Sequence, residues 1–84
     1  MATTYAREAI KTMKSQDKST RDRIKQAIDK LPEGDIVPLR GLENVYRLKV
    51  GVWRVVFEKI GDDIVIHRVR PRGQAYKRKG GAII

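Results

Sequence analysis

The sequence predicts an α+β domain, with two N-terminal helices forming an αα-hairpin packed on a small twisted antiparallel sheet. Three observations carry that expectation. Apolar residues recur at helical spacing over the first 31 positions, they recur at every second position from Val45 onward, and a Pro- and Gly-rich connector separates the two regimes. At 84 residues the chain has room for one domain, 1–84. A chain of this size buries only roughly 60% of the surface its unfolded form exposes, so a single thin core is its limit.

Ala6, Ala9, Ile10 and Met13 set the stripe of the first helix, and Ser15-Gln16-Asp17-Lys18 interrupts it. Ile24, Ala27, Ile28 and Leu31 repeat the i, i+3, i+4, i+7 pattern of one buried face. Ser19 followed by Asp22 reads as a capping box opening the second helix, which Pro32 and Gly34 close. Both stripes are core positions with no cofactor role. In the connector, residues 32–41, two prolines and two glycines argue against any regular element.

Beyond the connector the period switches to 2. Tyr46, Leu48 and Val50 alternate with Val45, Arg47 and Lys49; past Gly51-Val52, Trp53, Val55 and Phe57 alternate with Arg54, Val56 and Glu58. A two-residue loop with Gly first sets Val50 opposite Trp53, Leu48 opposite Val55 and Tyr46 opposite Phe57, giving one apolar face. The third strand runs from Ile64 to Arg70. A three-residue loop, Gly61-Asp62-Asp63, places Val65, His67 and Val69 on the apolar face and sends Arg68 and Arg70 to the other; a two-residue loop would bury the arginines. Residues 77–84 read as a flexible basic tail with a small apolar tip.

Charge points to the partner. Lys and Arg number 19 against 10 Asp and Glu, a net +9, which predicts a polyanion. The imbalance is segregated: residues 1–42 carry +3, residues 43–84 carry +6, and no acid follows Asp63. The hairpin register sets Lys49 directly opposite Arg54, with Arg47 two residues along. Like charges facing each other destabilise a sheet, and a fold tolerates them more readily where they hold an anion such as phosphate.

Five side chains stand out as able to do chemistry: Arg47, Lys49, Arg54, Arg72 and Tyr76. Cations can stabilise the extra negative charge of a phosphorane-like transition state without a metal. A lysine among arginines has its ammonium form disfavoured, which suits it to general-base work, and a tyrosine beside them can stack on a base. Spacing alone leaves three readings open: catalysis, plain nucleic-acid binding and a solvated face.

Other chemistry is poorly supported. The chain has no cysteine and one histidine, so disulfides, a thiolate nucleophile and a dedicated metal site are not expected. Asp62-Asp63 reads as a solvated turn, His67 as a structural histidine, and Gly80-Gly81 as too short to cradle a phosphate. The N-terminal residues lack a basic segment followed by an apolar one, so neither signal peptide nor membrane anchor is expected, and the cytoplasm is the default location.

Leu39-Arg40-Gly41-Leu42, Val45-Tyr46-Arg47-Leu48-Lys49-Val50, Trp53-Arg54-Val55-Val56-Phe57 and Arg68-Val69 with Arg72 and Tyr76, in this order and spacing, resemble the RelE toxins of the RelE/ParE superfamily. The likeness spans nearly the whole chain. It implies a cytoplasmic toxin with two helices on an antiparallel sheet, neutralised by a cognate antitoxin protein. The implied activity is that of a ribosome-dependent endoribonuclease, an mRNA interferase, that cuts mRNA in the A site with neither metal nor small-molecule cofactor.

Carried over residue by residue, the resemblance gives Arg47 and Lys49 as the paired basic residues of one strand and Arg54 as the arginine of the next. Arg72 falls on the late arginine and Tyr76 on the C-terminal tyrosine. The implied reaction is attack by the ribose 2′-hydroxyl, with Lys49 as base, Arg54 as transition-state stabiliser, Arg72 as acid or its electrostatic substitute, and Tyr76 positioning the nucleotide. Arg40, Arg68, Arg70 and Lys77 are expected to contact RNA. Pro71 stands where many relatives carry a histidine, and Ala2 to Tyr5 offers only a stub of the usual first strand. The ParE branch, which shares the fold and targets DNA gyrase, and a non-catalytic RNA-binding module are the rival readings.

Overall fold

A computed structural model describes residues 2–71. In chain order the elements are β1 (Thr3–Tyr5), α1 (Arg7–Lys14), α2 (Lys18–Asp29), β2 (Asp35–Pro38), β3 (Val45–Val50), β4 (Trp53–Ile60) and β5 (Asp63–Pro71). The strands form one sheet in the order β1-β5-β4-β3-β2. Its inner face, built on Leu48, Val55, Phe57, Ile66 and Val69, packs against Ala9 and Met13 of α1 and Ile24 and Ile28 of α2. Fully burying a side chain of this kind contributes about 1.5–3 kcal/mol. No helix among the described residues is long and apolar enough to cross a membrane.

The β3–β4 hairpin has the expected register, with Val50 opposite Trp53, Leu48 opposite Val55 and Tyr46 opposite Phe57. Gly51 has φ 59°, which a Gly at the first turn position supplies at no steric cost. The Tyr46 and Phe57 rings stack, with centroids 5.5 Å apart.

Elsewhere the structure corrects the expectations. The sheet is not purely antiparallel, because β1 pairs with β5 in parallel, Thr3 against Ile64 and Tyr5 against Ile66. A parallel pair needs a long crossover, and everything from α1 to β4 lies between these two strands. The connector is not wholly irregular either. Asp35–Pro38 forms an edge strand against β3, a position where Pro38 removes no ladder bond that an inner neighbour needs. Helix α2 begins at Lys18 with Asp17 at its N-cap, so Ser19 lies in the first turn. Asp17 takes the N-cap with extended backbone and no side-chain capping bond, and Asp22 bonds Lys18 at 2.7 Å. Ile10 leaves the α1 stripe and is 41% exposed.

The largest correction concerns β5. Ile60 pairs with Asp63, so Gly61-Asp62 is a two-residue turn. Ile64 and Ile66 therefore take the buried face, while Val65 faces the other way, opposite Glu58. A two-residue turn alone would bury Arg68 and Arg70. The register shifts between Val56 and Phe57, where Ile66 faces Phe57 but Arg68 faces Val56, leaving His67 as the extra residue of a β-bulge. The bulge resets the alternation, so Val69 returns to the core opposite Val55 and both arginines point outward.

Candidate functional site

The outer face of the sheet carries the predicted cations in rows across the strands. Lys49 of β3 lies opposite Arg54 of β4, which lies opposite Arg70 of β5. In the adjoining row Arg47 lies opposite Val56, which lies opposite Arg68. Side chains directly opposite one another in a sheet have Cβ atoms about 4.5–5.5 Å apart, close enough for neighbouring cations to share one phosphate. Five of the basic residues singled out from the sequence thus occupy one face.

They are not equivalent. Arg54 is half-buried and donates from Nη1 to the Gly51 carbonyl at 3.0 Å and the Trp53 carbonyl at 3.1 Å, so the tight turn after β3 holds its guanidinium in place. Lys49 is exposed and Arg47 half-buried; Asp35 of β2 lies opposite Lys49, and neither cation forms an ion pair among the described residues. Arg68 and Arg70, by contrast, are both paired with one carboxylate oxygen of Glu8, Arg68 at 3.5 Å. Strand β1 stops at Tyr5, so α1 rather than a strand flanks the end of β5. Glu8 in the first turn of α1 reaches the arginines from there.

The floor of this face is partly apolar. Val45 and Val56 are buried beneath Leu39 and Leu42 of the β2–β3 loop; Arg40, exposed on the same loop, is the one expected RNA contact among the described residues that lies off the strands. His67 does not share the core face as expected. Its Nε2–H donates to Glu58 Oε1, 2.9 Å away, on the outer face, because alternation from the buried Ile66 places it there. Among the described residues no group of three or more His, Asp or Glu side chains is placed to hold a metal ion. Arg72, Tyr76 and Lys77, and the tail over 77–84, lie outside the described residues.

Sequence reasoning missed Glu8 and the Glu58–His67 pair. An acidic residue in a helix's first turn is ordinary dipole chemistry, so nothing in the spacing marked Glu8. The Glu58–His67 contact depends on the two-residue Gly61-Asp62 turn, where the sequence predicts a longer loop.

The structure is a small α+β domain in which Arg47, Lys49 and Arg54 share one sheet face and form no ion pair among the described residues. The chain belongs to the ParE toxin family, described as the ParE toxin of the type II toxin-antitoxin system parDE, which matches residues 3–76. It is 31% identical to Toxin RelE3 of Methanocaldococcus jannaschii over 90% of this chain and 96% of that one. Its fold is similar to those in the RelB-RelE antitoxin-toxin complex from Methanococcus jannaschii, at 29% identity and TM-score 0.70 over 81% of this chain and 88% of that one. It is similar also to the archaeal RelE-RelB complex from Pyrococcus horikoshii, at 22% identity and TM-score 0.71 over 88% and 97%. The protein is therefore a type II toxin of the RelE/ParE superfamily.

Proposed function

We propose that this toxin is a ribosome-dependent endoribonuclease of the cytoplasm, which cuts mRNA in the A site without a metal ion and is held inactive by a cognate antitoxin. The observation that carries the reading is the alignment of Lys49 with Arg54, beside Arg47, on a face where none of the three forms an ion pair with a described residue, although Asp35 of β2 lies opposite Lys49. A mere solubilising surface gains nothing from like charges set opposite each other; a site for a phosphorane does.

The chemistry follows from those positions. Lys49 takes the proton of the ribose 2′-hydroxyl, whose oxygen attacks the adjacent phosphorus. The P–O5′ bond breaks, leaving a 2′,3′-cyclic phosphate on one fragment and, once the leaving oxygen is protonated, a 5′-hydroxyl on the other. Arg54, pinned by the Gly51 and Trp53 carbonyls, is preorganised to stabilise the charge that develops on phosphorus oxygens, with Arg47 beside it. Arg72 is assigned to the leaving group and Tyr76 to stacking on the nucleotide, from the family resemblance. Arg40 and Lys77 contact the RNA backbone.

Antitoxin binding draws support from the neighbouring structures, which are antitoxin–toxin complexes, and from the +9 charge. A gyrase-directed reading has one observation in its favour, the ParE description of the matching family. Induction of the toxin decides between them. Cut ribosome-associated transcripts ending in 2′,3′-cyclic phosphate are expected; intact mRNA with trapped gyrase–DNA complexes would overturn the nuclease assignment.

A further inference from the structure

The basic face contains a carboxylate that a surface evolved only for polyanion binding would not need. Glu8 bonds both Arg68 and Arg70 through the same oxygen. All three side chains are only partly exposed, at 39%, 28% and 30%, and Glu8 is carried by a helix whose Ala9 and Met13 are in the core, so the carboxylate is fixed beside the arginines. Arg70 is the cross-strand neighbour of Arg54, and Arg68 lies in the row of Arg47. The five cations are thereby divided into a pair on β5 that is ion-paired to Glu8 and a strip on β3 and β4 that forms no ion pair among the described residues, with Asp35 of β2 opposite its Lys49 end.

We propose that Glu8 is a specificity-determining residue of this face. By withdrawing Arg68 and Arg70 from phosphate binding, it confines the RNA backbone to the strip formed by Arg47, Lys49 and Arg54. This rests on the reading of the face as an RNA site. An uncorrected row of Lys49, Arg54 and Arg70 would offer equivalent phosphate positions across three strands, and the backbone could seat a phosphate one strand away from the reactive position. Glu8 repels phosphate at the β5 end of the row and leaves Arg54 as its last open cation.

The test uses the full chain and single-stranded uridine homopolymer, with affinity measured against salt concentration in the absence of ribosomes. Glu8→Gln keeps the size of the side chain and releases both arginines. Each phosphate newly contacted on a single strand adds about 0.7 to the slope of log affinity against log salt, so two released arginines steepen it by about 1.4, which is about a sevenfold greater loss of affinity over a fourfold rise in salt. Glu33→Gln, at an exposed position in the connection between α2 and β2 and in no ion pair with the arginines, makes the same change in net charge and is expected to leave the slope near that of the parent. Restoring the parental slope by adding Arg68→Ala and Arg70→Ala to Glu8→Gln would assign the effect to these two arginines. An unchanged slope in Glu8→Gln, or an equal steepening in Glu33→Gln, overturns the proposal. Because cleavage is not the readout, a toxin that leaves mRNA intact on ribosomes would sink the nuclease reading and still report on Glu8; failure of parent and variant alike to bind the homopolymer would overturn the proposal for Glu8 while the ribosome assay still decides the nuclease reading.

Discussion

Deleting His67 is expected to be far milder than deleting its near neighbour Val65, although both shorten the same strand by one residue. His67 is the extra residue of the bulge. Without it a regular ladder still sets Phe57 against Ile66, Val56 against Arg68 and Val55 against Val69, the pairs already present. The loss is the contact with Glu58, between side chains 28% and 34% exposed, and a partly exposed pair contributes about 0–1 kcal/mol. Deleting Val65 with the Gly61-Asp62 turn retained instead sets Ile66 against Glu58 and His67 against Phe57 in a regular ladder. Ile66, fully buried in the native fold, then leaves the core, a loss of about 2–5 kcal/mol by analogy with large-to-small core substitutions. With a urea dependence of about 1–3 kcal/mol per molar for small domains, the Val65 deletion should lower the unfolding midpoint by about 1–2 M and the His67 deletion by well under 1 M. Trp53, the single tryptophan and half-buried, reports the transition by fluorescence. Equal midpoints, or a His67 deletion that is the more damaging, would refute the account of how the arginines come to face outward.

Gly34→Ala should destabilise the fold by about 1–3 kcal/mol, because Gly34 has φ 133° and an added Cβ would meet Leu48 Cδ1 at 2.9 Å; thermal unfolding reads the loss. Tyr5→Phe should hold or raise stability by about 1 kcal/mol, since the buried Tyr5 hydroxyl has no hydrogen-bond partner among the described residues. Burial also holds the Tyr5 phenol above its usual pKa of 10.0, so its stabilising contribution is complete below about pH 10 and fades as pH rises through the raised folded value; Tyr5→Phe should lessen alkaline unfolding, and an unchanged alkaline limb would count against this. Cleavage on ribosomes kept assembled with polyamine should persist in excess chelator, whereas loss restored by one divalent ion would make Asp62, Asp63 and Glu58 candidate ligands. Association with an acidic antitoxin segment should slow as salt shrinks the Debye length from about 10 Å to 3 Å; a salt-insensitive on-rate would mean that apolar contacts govern the encounter.

The sequence revealed the helices, the β3–β4 register and the cationic outer face, since each is written in local periodicity and one glycine turn. What it hid depends on distant partners. Strand β1 exists because β5 offers an edge 61 residues on, with Thr3 against Ile64, and three residues carry no periodicity of their own. Strand β2 spans Pro38 because edge strands tolerate proline. At β5 the alternation Ile64, Ile66, Val69 is broken by one residue, and a change of phase can be read as a longer turn or as a bulge; the longer turn preserves the arginines, and so does the bulge. Only the core position of Ile66 separates the two. Glu8 was illegible for a similar reason, being a first-turn acid whose partners lie 60 and 62 residues away.

The central claim is that the strip of Arg47, Lys49 and Arg54 stabilises a transition state rather than merely docking RNA. The most direct test is single-turnover cleavage on programmed ribosomes, with ribosome affinity measured in parallel, for Arg54→Ala. Loss of one preorganised stabilising donor should slow cleavage by about 10²-fold or more, while affinity falls only a few-fold because the other basic groups still neutralise phosphates. A rate that falls only in proportion to affinity, or does not fall at all, would contradict the claim and leave the face as a docking surface.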